Sequence, residues 1–241
     1  MREPRNNAAA VLLRSLPLVA VLCGTVRAET LWYNGDWDLV AGYVNRIDTW
    51  GMSVVPEAYM FDDFNVAHSL GWHVTQIYTN DWNCGEPGEG SQVAWSIRTG
   101  MSPGNPGTIL FRGTSSATVT PTGRCRSAPF DPTLEYTFRV SGLDIALAPG
   151  TYWLNVTPYS NGDVLISPTD GANAVGTPAG NNGNSLWYWP EFPDRYYISV
   201  SEYEGWLADF SMGVEGEVLP EPATLSLLAM GGLAVLLRRR R

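Results

Sequence analysis

The chain has 241 residues, with twenty-four acids against fifteen arginines, no lysine and a formal net charge of −9. Between residues 29 and 219 the imbalance sharpens to seven arginines against twenty-two acids, or −15. So acidic a stretch repels nucleic acid and anionic lipid surfaces, and no basic run offsets it; nucleic-acid binding is excluded.

At the N-terminus Arg2, Arg5 and Arg14 precede a short apolar run from Leu16 to Val26. Val26-Arg27-Ala28 then has the small-x-small form that signal peptidase reads. The run is too short to cross a bilayer, so residues 1–28 are expected to be a signal peptide cut between Ala28 and Glu29. Cys23 leaves with it. Cys84 and Cys125 remain as an even pair in an oxidising compartment, which predicts one disulfide.

Residues 29–218 are expected to form one extracytoplasmic domain. Short runs rich in aromatic and β-branched residues follow one another: 58–64, 73–78, 92–97, 108–111, 117–120, 134–140, 151–157, 196–200 and 210–218. Several alternate apolar and polar residues, as in Tyr152, Leu154 and Val156 against Trp153 and Asn155. That is the period of a half-buried strand. The chain holds 25 Gly and 17 Pro, which suits many turns. The fold class is therefore all-β, an antiparallel β-sandwich or jelly roll. Loops are expected at 80–90, 100–107 and 170–185.

Motifs for chemistry are missing. There is no Gly-x-Ser-x-Gly elbow, no His-Glu-x-x-His and no phosphate loop ending in lysine, so no catalytic residue is assigned. A glycosidase needs only two carboxylates. Asp62/Asp63 and Glu202/Glu204 are the pairs to consider; on strands the first would face opposite sides and the second the same side. These acids read most simply as solvated edge or turn residues. No cofactor is expected, although Asp62, Asp63 and Asp209 are candidates for a structural calcium if the first and last strands pair. Ten Trp and eleven Tyr are the richest feature. Most are expected in the core. Trp82, Trp187, Tyr188 and Trp189 stand among polar, glycine-rich neighbours and are candidates for a glycan-binding platform, with 187–189 as the exposed group. Asn155-Val156-Thr157 fits a glycosylation sequon but lies in a strand and is incidental.

The body carries a resemblance of its own. Asp62-Asp63-Phe64, Gly71-Trp72, Trp95-Ser96-Ile97-Arg98, Pro106-Gly107-Thr108, Gly150-Thr151-Tyr152-Trp153-Leu154 and a closing 209–216 stand in one order. Over residues 55–218 this resembles the exported β-sandwich domain of many PEP-CTERM surface proteins, and it implies fold and location rather than chemistry.

The C-terminal segment, residues 219–241, is the most specific. Pro220-Glu221-Pro222 leads into an apolar run ending at Leu237, and Arg238, Arg239, Arg240 and Arg241 follow. Counted from Leu219, a helix at about 1.5 Å per residue reaches roughly 28 Å, near the ~30 Å hydrocarbon thickness. The arginines favour the cytoplasmic side, which places the body outside. This order of features resembles the PEP-CTERM sorting signal. The resemblance implies an inner-membrane-anchored precursor, recognition by an exosortase-type membrane protease, and delivery to the cell surface or extracellular matrix. The expected role is non-enzymatic, structural or adhesive. The alternatives are a carbohydrate-binding module acting on exopolysaccharide and a polysaccharide-degrading enzyme.

Overall fold

The structure, a computed structural model, describes residues 28–40, 42–48, 57–83, 91–126, 133–160, 162, 164–178, 180–190 and 197–219. Cys84, the residues before Ala28, and Pro220, Glu221, Pro222 and Arg238 to Arg241 lie outside them. So does the predicted transmembrane helix. Among the described residues no helix is long and apolar enough to cross a membrane. Cys125 is exposed, and no disulfide is formed among the described residues.

The chain runs through β1 (Glu29–Tyr33), β2 (Tyr43–Val44), β3 (Arg46–Asp48), β4 (Glu57–Val66), β5 (Trp72–Asn83), β6 (Gln92–Thr99), β7 (Thr108–Ser116) and β8 (Thr118–Arg126). It continues through β9 (Thr133–Leu147), β10 (Gly150–Ser160), β11 (Val164–Ile166), β12 (Pro168–Thr169), β13 (Leu186–Tyr188), β14 (Tyr197–Ser199), α1 (Val200–Glu204), β15 (Asp209–Phe210) and β16 (Met212–Val218). Two sheets hold most of these strands. In the first, β5 is flanked by β16 and β9; β1 lies beyond β16 and β8 beyond β9, while β11 and β2 extend the sheet. The second has the order β14-β13-β4-β3-β10-β6-β7, with β4 also pairing β10 directly. Pairing is antiparallel except for the short β3–β10 contact. A two-strand ladder joins β12 to β15.

The sheets face each other across one apolar core. Trp72, Val74 and Ile77 of β5, Phe138 and Val140 of β9, Met60 and Phe64 of β4, Val93 and Ile97 of β6, and Leu154 and Val156 of β10 all point into it. A bulge in β5 between Val74 and Gln76 keeps both Val74 and Ile77 inward, despite a spacing that strict alternation forbids. Trp32 stacks on Phe64 at 5.4 Å, and Phe64 on Trp72 at 6.0 Å. Full burial of each such side chain stabilises the fold by roughly 2–3 kcal/mol.

The strands expected near 58–64, 73–78, 92–97, 134–140 and 151–157 are present and longer than expected. β5 continues to Asn83, so the loop expected from residue 80 starts later. The strand expected at 196–200 is shorter. Ser199 accepts a hydrogen bond from the Glu202 amide and caps α1, which ends at Gly205 in the left-handed region (φ 79°). Glu202 and Glu204 therefore sit on a helical turn, not on one face of a strand.

Candidate functional site

Strand alternation sorts the expected aromatic platform differently from its sequence surroundings. On β13, Leu186 and Tyr188 turn to the outer face of the second sheet while Trp187 turns into the core, where it is 8% exposed. Trp189 packs edge-on against Trp187 at 4.5 Å. Trp82 lies on β5, half-buried and stacked on Trp37 at 5.8 Å. Gly42 lies against it; a Cβ there would stand 2.2 Å from the indole nitrogen. Trp187 is thus a core residue, Trp189 and Trp82 are half-buried against other indoles, and Tyr188, also half-buried, turns to the outer face of the second sheet.

Asp62, Asp63 and Asp209 do come together, although not as solvated residues. All three are buried. Asp62 Oδ2 accepts from Asn34 Nδ2 (2.8 Å) and from the Phe210 amide (2.6 Å), and its Oδ1 accepts from the Asp63 amide. Asp209 Oδ2 accepts from the Asn182 and Gly183 amides, and Asp63 Oδ1 from Asn182 Nδ2. β1 and β16 pair, as the calcium expectation required, but Asp62 lies on β4 and meets the β15 backbone by hydrogen bonding instead. Among the described residues no group of three or more His, Cys, Asp or Glu is placed to hold a metal ion. Burial, with Asp209 nearby, drives the Asp62 carboxyl well above the usual range, and burial lifts Asp209 to about 6. Asp81, also wholly buried, is pushed by burial to about 8 even though Asn45 donates to its Oδ1 at 2.9 Å. Burial favours the protonated form of these acids, while the N–H groups that donate to Asp62 and Asp209 favour the charged form.

The outer face of the second sheet holds a different kind of site. Ladder register sets Asn155 of β10 beside Ser96 of β6, and Ser96 beside Arg112 of β7. Thr157, Ala94 and Thr114 form the next row. Small residues therefore run down the middle while Tyr59, Arg98 and Arg112 rise around them. The result is a groove of about 370 Å³, within the size range of ligand sites. Arg98 is held in place without a carboxylate. Its Nε donates to Ser96 Oγ (3.3 Å), and its Nη1 donates to the Pro106 carbonyl and the Tyr197 hydroxyl (both 3.1 Å). Its guanidinium lies over the Phe61 ring at 4.7 Å and, farther off, over the Tyr197 ring at 5.8 Å. Tyr59, Tyr188 and Tyr197 continue the aromatic edge at 5.5 Å and 5.2 Å. Tyr59 donates to Glu57 Oε2 at 2.6 Å, and burial together with that carboxylate raises its phenol well above the ordinary value. Of these residues the sequence assigns only Tyr188 to a glycan platform; it marks Asn155 and Thr157 as an incidental sequon, and Ser96, Arg98 and Pro106 as part of the body's resemblance.

The features so far define a two-sheet, all-β domain with a groove on one outer face. The family model for the PEP-CTERM protein-sorting motif matches residues 218–241, so the chain carries that sorting motif directly after β16. The motif implies an exported protein, made as a membrane-anchored precursor, processed by an exosortase-type system and sorted to the cell surface. No curated protein and no solved structure matches the chain.

Proposed function

We propose that this protein is a non-enzymatic structural or adhesive component of the cell surface or extracellular matrix, exported by signal peptidase cleavage after Ala28 and released to its site by an exosortase-type protease. The observation that carries this reading is the sorting motif joined without a spacer to a sandwich in which no catalytic motif occurs. Replacing Pro220, Glu221 and Pro222 by alanine in the producing cell leaves a tail-bearing precursor in the inner membrane and empties the surface fraction. Equal surface display of the variant would refute sorting by this motif. Loss of the whole chain weakens matrix cohesion without changing polysaccharide length; shorter polysaccharide on overexpression would instead favour a hydrolase.

The groove favours a second reading, a carbohydrate-binding module for exopolysaccharide. An aromatic ring, amide and hydroxyl groups and two guanidiniums on a concave sheet face suit sugar C–H faces and hydroxyls. Immobilised glycans incubated with the purified chain test this reading, and silence at millimolar sugar would remove it.

A further inference from the structure

We infer that the groove bounded by Tyr59, Arg98 and Arg112 binds a polysaccharide with spaced carboxylates, uronic-acid residues set among neutral sugars. This rests on the carbohydrate-binding reading and names its ligand. The argument is one of charge and shape together. In a body of net charge −15, two other arginines are neutralised in place: Arg124 contacts Asp36 and Glu135, and Arg139 contacts Glu215. Arg98 and Arg112 form no ion pair among the described residues, and both line the same groove. Of the acids near this face, Glu57 accepts from the Tyr59 hydroxyl and Asp63 from Asn182 Nδ2, and neither pairs with Arg98 or Arg112. Arg98 is pre-positioned over Phe61 by contacts to neutral oxygens only. The Arg112 guanidinium fork fits a carboxylate in two-point contact, Arg98 adds its charge and its Nη2 donors beside it, and small Ala94, Ser96 and Asn155 leave room for the rings between such carboxylates.

The same charges limit the ligand. A densely charged polyanion meets the repulsion of the whole acidic body, whereas charges beyond about 8 Å are screened at physiological salt. Two guanidiniums therefore favour a chain whose carboxylates come one at a time, consistent with the exclusion of nucleic acid.

Calorimetric titration of the purified full-length chain tests this with three probes: a hyaluronan octasaccharide, in which uronate alternates with a neutral amido sugar; dextran, a neutral sugar; and polyglutamate, carboxylates without sugar. Hyaluronan is expected to bind at least tenfold more tightly than dextran or polyglutamate. Arg112→Ala is expected to weaken it about tenfold, and Arg112→Lys to restore part of the loss. Hyaluronan binding that is absent at millimolar concentration, or unchanged by Arg112→Ala, would overturn the inference, as would equal binding of polyglutamate. Dextran binding as tightly as hyaluronan overturns the carboxylate requirement alone and leaves the carbohydrate-binding reading standing. Binding of no sugar removes both, without touching the sorting assay.

Discussion

The outer faces of the two sheets treat positive charge in opposite ways. On the first sheet, Arg139 reaches Glu215 at 2.6 Å and covers the Tyr78 ring at 4.5 Å, while His73 lies between Asp144 and Glu217. At one end of this face Arg124 bridges Asp36 and the fully buried Glu135. On the second sheet Arg98 meets rings, a carbonyl and hydroxyls, and Arg112 forms no ion pair among the described residues. The first face spends its cations on holding strands and loops together. The second keeps them available. Composition alone, which averages both into one strong negative charge, hides the difference.

The largest test of that contrast is Glu135→Gln. It deletes the buried carboxylate that accepts from Arg124 Nε at 2.6 Å and from Thr122 Oγ1 at 2.7 Å. Breaking a buried pair from one side costs about 3 kcal/mol or more, so a Tm fall of roughly 6–12 °C is expected by calorimetry. A change under 2 °C, on the order of half a kcal/mol, would mean that this ion pair is not structural.

Asp81→Asn probes the interior between the two faces. The folded Asp81 carboxyl titrates near 8 because it is buried, while the unfolded one titrates near 4. Between those values the folded state holds the extra proton, so this group's contribution to stability falls as pH rises from about 4 to 8. The substitution is expected to flatten that slope and to stabilise the fold by a few kcal/mol at pH 8, read from urea unfolding at pH 5 and pH 8. An unchanged slope would show that the buried charge is not the cause.

The smallest effects separate the faces most cleanly. Glu215→Ala removes a partly exposed ion pair and should cost up to about 1 kcal/mol. Arg112→Ala, exposed and without an ion pair among the described residues, should change stability by less than about 0.5 kcal/mol. If urea unfolding showed Arg112→Ala to cost more than Glu215→Ala, the division between a cemented and an available face would fail.

Most of the sandwich was legible because its long strands alternate. Tyr152, Leu154 and Val156 point inward as their spacing required. The groove was not legible, since Tyr59, Ser96, Arg98, Arg112 and Asn155 come from four strands and meet only through register. One local signal was present: Ala94, Ser96 and Arg98 alternate outward on β6, small to large, opposite inward Val93 and Ile97. Trp187 misled because its Asn- and Gly-rich approach resembles an exposed loop, while the three-residue strand that follows is too short for its period to show. Asp62 and Asp63 face opposite sides of β4, as strand alternation requires. Their burial was missed because the amides that receive them come from Phe210 and Asn182, far along the chain.

β16 joins the body to the sorting motif, and it is an interior strand, with β1 on one side and β5 on the other. Glu29, the first residue of β1, pairs with Gly216 close to that exit. While the precursor is still anchored in the membrane, tension drawn along its C-terminal segment runs down β16 and must shear two ladders at once, where an edge strand would peel away bond by bond. A domain hung in this way resists mechanical pulling most strongly at its point of attachment, and it cannot close its first sheet until its last strand has emerged from the export machinery.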